Sequence, residues 1–284
     1  LVGSEMCIRD SFLILWGFLY SPAILVVVAR DQDDGGVFSP GTRLFLEFLG
    51  ALAVLAAAWI VSRFADRRSF TSLGFAPSGA VRDLVVGLVL GSAMISLAVA
   101  TLWLAEWVIT VPVLTFSWTV LGSMGTAILF NSVTQEVMVR GYVLQTIETQ
   151  FNAPVAVIGS SVFFTGLHAG AIAEGGVLPA VNLFAAGVLL GVAYTTTRNL
   201  WLPVALHFSW NLLQGPVLGI AVSGQALDGG WRLLDLKGPP IFTGGSFGLE
   251  GGLVATVVTT LGIVALIAAG RWRQRCIHAG SCDQ

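Results

Sequence analysis

Long apolar runs dominate this chain, and they limit it to structures that satisfy backbone polar groups within or between the buried segments. In a bilayer only helices and closed barrels do so, and a spanning helix needs about 20 mainly apolar residues. Runs of that kind lie at roughly 12–29, 43–62, 84–107, 116–147, 154–172, 178–197, 201–220 and 251–270. The fourth is long and is expected to break near Ser132. The fifth to seventh are joined by tight turns at 152–154, 174–176 and 199–203, and short connections make antiparallel neighbours. Only 11% of the residues are charged, against about 25% in average soluble domains. The sequence therefore reads as an all-α, polytopic membrane helix bundle of about eight transmembrane helices.

Positive charge sets the expected orientation. Arg63, Arg67, Arg68 and Arg82 fall between the second and third spans, Arg198 between the sixth and seventh, and Arg271, Arg273 and Arg275 after the last. With eight spans all of these share one side, so both termini are expected in the cytoplasm. The opposite side receives Asp31, Asp33, Asp34 and the loop 221–250, whose Gly238-Pro239-Pro240 stretch is a candidate cap for a cavity. Residues 1–11 are read as a disordered or artefactual N-terminus, 12–270 as the bundle, and 271–284 as a polar, disordered C-terminal tail. The net charge of −2 and single lysine, Lys237, argue against nucleic acid as a partner. Cys7, Cys276 and Cys282 lie near the ends and match neither a disulfide framework nor zinc-ligand spacing. No internal repeat is visible, which weighs against a transporter built from related halves.

Against this apolar background three polar motifs stand out. Ionisable groups at membrane depth are costly and mark sites that face a bundle interior. Gln135-Glu136 with Arg140 form the first, Phe164 with His168 the second, and His207 with Asn211 the third. Each pair four apart shares a helix face. Glu136 and Arg140 are thus expected to pair, with Gln135 turned about 100° away. Asn211 could hold the tautomer of His207 or present its amide to a developing oxyanion. Taken singly, each motif reads equally well as packing glue. By helical rise, Gln135 and His168 lie at similar depths, about 18 and 21 Å from the cytoplasmic ends of their helices. His207 is only about 9 Å beyond Trp201, which requires either a tilted helix or a helix start sunk below the interface. The Gly187-x-x-x-Gly191 pattern reads as close helix packing.

The order Gln-Glu-x-x-x-Arg, Phe-x-x-x-His, His-x-x-x-Asn on apolar helices resembles the CPBP (CAAX protease and bacteriocin-processing, or Abi) family of intramembrane proteases, which includes the CAAX prenyl endopeptidases. The resemblance covers roughly 118–215 and extends to Arg140-Gly141, Gln145 and Asn199-Leu200-Trp201-Leu202-Pro203. It implies an endopeptidase that hydrolyses a peptide bond near the cytoplasmic membrane face with a Glu/His-activated water. It assigns Gln135 to the position of the general base, Glu136 and Arg140 to a supporting ion pair, His168 to holding the water, and His207 and Asn211 to the oxyanion. It implies no cofactor and no bound metal, with metal dependence left open. The partners it implies are a peptide or lipidated-protein substrate and membrane lipid, and the location is an integral protein of a prokaryotic plasma membrane. Gln135 departs from the family, which has Glu there. Glutamine holds a water but has no carboxylate to take its proton, and general-base assistance is worth about 10²–10⁴ in rate. A natural pseudoenzyme, an altered catalytic residue, or Glu136 swung into the role are the competing explanations. A catalytically inactive membrane scaffold or immunity-type protein, binding a peptide or partner in the same cavity, is the alternative function.

Overall fold

The computed structural model describes residues 12, 15–17, 19–21, 39–111, 117–226 and 233–278. Most of the expected first span, residues 1–11 and the end of the tail lie outside these residues. The chain is mostly helical.

Helix α1 (Pro40–Ile60) begins where Ser39 Oγ accepts the amide of Thr42 at 3.1 Å and Pro40 occupies the first turn, a favourable helix start. It ends in a π-helical turn, Val61–Ala65. Helix α2 is Ala80–Leu104. Helix α3 (Trp118–Glu136), capped by Ser117, runs through a π-helical segment, Val137–Leu144, directly into α4 (Gln145–Gln150). The break expected near Ser132 is therefore absent. The distortion begins five residues later, immediately after Glu136.

Helix α5 (Ala153–Gly166) starts on an Asn152 cap with Pro154 in its first turn. The expected single span 154–172 is in fact two helices, because α6 (Ala169–Gly175) leaves α5 at 73°. The cause is local. The amide of His168 bonds to Thr165 O instead of continuing the ladder to Phe164 O. The freed Phe164 carbonyl takes the His168 ring Nδ1 at 2.9 Å.

Helix α7 is Val177–Thr197 and ends at Arg198 in the left-handed region. Helix α8 (Trp201–Leu212) closes with a third π-helical element, Leu213–Val217. After the short α9 (Pro240–Thr243) comes α10 (Leu253–His278). Residues 271–278 are thus helical rather than a loose tail: the hydrogen-bonded ladder of a long helix carries past its apolar stretch. A two-stranded antiparallel ribbon, β1 (Val108–Thr110) and β2 (Leu234–Leu236), was not anticipated by the all-α reading. It ties the end of α2 to the loop before α10.

Among the described residues, four helical stretches are long and apolar enough to cross a membrane: Pro40–Ala65, Ala80–Leu104, Val177–Thr197 and Leu253–Arg273. The bent pair α5–α6 makes a fifth if it counts as one span. Large apolar side chains such as Phe45, Trp59, Val89, Trp103, Val257 and Leu261 point outward from these helices, as lipid-facing surfaces require. Helices α3 and α8 are outside that set. The first is diluted by polar residues, and the second has only 12 residues, most of them buried. Both carry motif residues, and the motif end of α3 and most of α8 are buried.

Glycines set the closest approaches. Gly87 and Gly91 of α2 lie against the backbone of α8, and Gly187 and Gly191 of α7 lie against Ser161 and Val157 of α5. A Cβ at Gly187 would come within 2.9 Å of Ser161 Cα. The start of α8 is itself buried beneath residues 70–78. Leu200 N donates to Gly74 O at 2.8 Å, Trp201 Nε1 to Ala76 O at 3.0 Å, and Asn199 Nδ2 to Ser78 O at 3.1 Å. These bonds cover the start of α8 with protein.

Candidate active site

The first motif forms the rigid floor of the site. Glu136 and Arg140 are both fully buried. Arg140 Nη1 donates to Glu136 Oε1 at 2.9 Å and Nη2 to the Gly187 carbonyl at 2.9 Å, with the guanidinium 4.9 Å from the centre of the Phe164 ring. The pair spans the junction between α3 and its π-helical continuation, a feature that recurs at functional sites.

Sequence spacing did not reveal that Glu136 holds a second partner. His207 Nδ1 lies 2.9 Å from the same Oε1. A carboxylate only accepts, so Nδ1 carries the hydrogen and the neutral ring keeps its lone pair on Nε2. Asn211, the expected holder of that ring, makes no hydrogen bond among the described residues and is free to face the cavity. His168 is fixed in the same tautomer by a different acceptor, the Phe164 carbonyl. The Phe164 ring lies 4.8 Å from the His168 ring and 6.1 Å from the His207 ring. The same ring thus touches the guanidinium and neighbours both imidazoles.

These groups border one cavity of about 260 Å³. Gln135, His168, His207 and Asn211, from α3, the α5–α6 bend and α8, all line it. Glu136 and Arg140 lie behind its wall rather than in it. Glu148 is taken up by Arg198 in a two-pronged ion pair at 2.7 and 2.9 Å, and Glu174 is exposed on α6. Neither reaches the cavity.

The cavity also holds polar residues that the motifs did not point to: Arg43 and Glu47 of α1, Asn131 of α3, Asn182 of α7, and Ser223, Gln225 and Glu250 of the loop. A signal for the first two was present, since Arg43 and Glu47 are four apart in an apolar helix, as Glu136 and Arg140 are. Asn131 Nδ2 donates to Glu47 Oε2 at 3.1 Å, and Gln135 Nε2 donates to Asn131 Oδ1 at 2.9 Å. Gln135 Oε1 is buried and has no partner among the described residues. The loop before α10 does border the cavity, through Val222, Ser223 and Gln225, and Arg43 Nη2 ties Gln225 to α1 at 3.1 Å. Its Gly238–Pro240 part lies elsewhere, against Trp107 and at the head of α9. Burial raises the Glu250 carboxyl above the ordinary carboxylate range, and the Ser223 amide and hydroxyl that donate to it work in the opposite direction. Among the described residues no three His, Cys, Asp or Glu side chains are grouped to hold a metal ion.

Residues 116–213, which contain all three motifs, match the family model described as type II CAAX prenyl endopeptidase, Rce1-like. No curated protein and no solved structure matches the chain. The family consists of membrane proteases that act on prenylated substrates, and the apolar helices around the matched segment are those of an integral membrane protein.

Proposed function

We propose that this chain, whose motif-bearing segment belongs to the CPBP family of intramembrane proteases, is an endopeptidase of CAAX-prenyl-protease type. It hydrolyses a peptide bond in a peptide or lipidated protein presented at the cytoplasmic membrane face, with water as the nucleophile. The single observation that carries this reading is convergence. Side chains from positions 135, 168, 207 and 211 line one cavity within an apolar bundle, with an ion pair fixed behind them. Gln135 and the two imidazoles hold and activate the water. The Asn211 side chain, which makes no hydrogen bond among the described residues, is available to a developing oxyanion. Glu136 and Arg140 keep the histidine-bearing helix in register. The protein sits in a prokaryotic plasma membrane as eight spans with both termini cytoplasmic, in keeping with the arginine distribution.

The test is cleavage of a synthetic fluorogenic peptide, bearing an S-prenyl cysteine three residues from its C-terminus, by the full chain in lipid vesicles. Wild type, Gln135→Glu and His168→Ala are compared. Cleavage by wild type or Gln135→Glu well above His168→Ala is the expected result; no gain over His168→Ala in either removes the catalytic assignment. Gln135 itself favours a second reading, an inactive membrane protein that binds a peptide in the same cavity, because binding needs no base. Retention of the prenyl peptide without turnover, even in Gln135→Glu, would select it.

A further inference from the structure

We infer that in this chain the Glu136–His207 pair supplies the general base, while Glu47, acting through Asn131, fixes which way the Gln135 amide faces and leaves its oxygen as the unpaired acceptor. This rests on the endopeptidase reading and assigns the proton that Gln135 cannot take.

Side-chain amides are ordinarily ambiguous by a flip, but here the order is set from one end. The Glu47 carboxylate only accepts, so Asn131 turns its Nδ2 to it, at 3.1 Å. That leaves Asn131 Oδ1 for Gln135 Nε2, at 2.9 Å. That order fixes the Gln135 amide by one of its two N–H groups and leaves its oxygen buried and without a partner among the described residues. Buried polar atoms left unpaired are costly, so a donor such as the O–H of water is stabilising there. Gln135 thus keeps the acceptor of the glutamate it replaces and loses only the basicity.

The basicity is found one residue along the chain. His207 Nδ1–H points at Glu136 Oε1, at 2.9 Å, and its Nε2 lone pair belongs to a ring that lines the cavity. A carboxylate behind an imidazole holds the tautomer and stabilises the imidazolium that forms when Nε2 takes a proton. Arg140 fixes that carboxylate in place, so the dyad is preorganised. His168 is the weaker candidate. Its Nδ1 has only the Phe164 carbonyl behind it, a dipole rather than a charge, and hydrogen bonds to charged acceptors are roughly twice as strong. The charged and titratable groups around His207 are Glu136, Arg140, His168 and Glu250.

The step balances. Water gives one proton to His207 Nε2, and its oxygen forms a bond to the scissile carbonyl carbon while the C=O π pair moves to the oxygen. The C–N bond then breaks as the oxyanion pair returns. The leaving nitrogen takes the proton back from Nε2–H, giving a carboxylic acid and an amine.

The test is a cycle of His207→Gln and Gln135→Glu, made singly and together in the full chain in vesicles and read as kcat and pH–rate profile on the prenyl peptide. Restoring a carboxylate at 135 should make His207 dispensable as a base. The expected loss from His207→Gln is about 10²–10⁴-fold in the native background and under about tenfold beside Gln135→Glu. Activity of the double variant also shows that His207→Gln folds. Glu47→Gln should slow the wild type. Equal losses from His207→Gln in both backgrounds, or none in either, overturn the inference and leave the endopeptidase reading intact. Absence of cleavage by wild type and Gln135→Glu alike overturns both.

Discussion

Removing either charge of the Glu136–Arg140 pair is a direct test of how the site is braced. Both side chains are fully buried, so Glu136→Leu leaves a guanidinium whose remaining acceptor is the Gly187 carbonyl. Breaking a buried pair by deleting one partner costs about 3–5 kcal/mol. The arginine orphan should fall at the upper end of that range, because it cannot shed its proton. Arg140→Met strands a carboxylate instead, but Glu136 still has His207 at 2.9 Å. That ring can take a proton and become its counterion, so the loss should fall near the lower end, about 3 kcal/mol. The double variant Glu136→Leu with Arg140→Met strands neither charge and should recover most of the loss, since apolar replacement of a whole buried pair is often close to neutral. The assay is reversible denaturation of the detergent-solubilised chain followed by far-ultraviolet circular dichroism, analysed as a double-mutant cycle. Single losses below about 1 kcal/mol, the range of exposed ion pairs, or Arg140→Met costing more than Glu136→Leu, would refute the buried-pair account.

Three further outcomes follow from the packing. Gly187→Leu forces side-chain atoms against Ser161 of α5 and should cost about 1–3 kcal/mol or more by overpacking, read as a fall in melting temperature. Trp201→Phe removes the bond from Nε1 to Ala76 O and should cost about 1 kcal/mol, with a looser α8 start visible as faster amide exchange at Leu200. Glu250 has its carboxyl raised by burial above the ordinary 4.5, so the folded state binds a proton more tightly than the unfolded one. Its contribution is full below pH 4.5 and is lost as pH rises through the raised value. Glu250→Gln should therefore flatten the fall in stability above pH 4.5, measured as melting temperature against pH.

Much of the site was legible in the sequence because its constraints are local. Four-residue spacing on a helix is enough to pair Glu136 with Arg140 and to bring Phe164 beside His168, and both contacts are made. The contacts that escaped are those between helices. Nothing in the run from 201 to 220 says that His207 meets Glu136, which lies 71 positions earlier; that depends on where α8 begins, and residues 70–78 cover that start. Periodicity likewise missed the bend at His168, because the bend arises from a side-chain nitrogen replacing a backbone amide on the Phe164 carbonyl. A hydropathy profile cannot register such an exchange. The same profile does not separate buried from outward-facing apolar residues, which look alike in one dimension. In three dimensions most of α8 is buried, while α3 exposes Trp118 and Leu129 and buries its motif end. That burial keeps Asn131, Gln135, Glu136, His207 and Asn211 around one polar site.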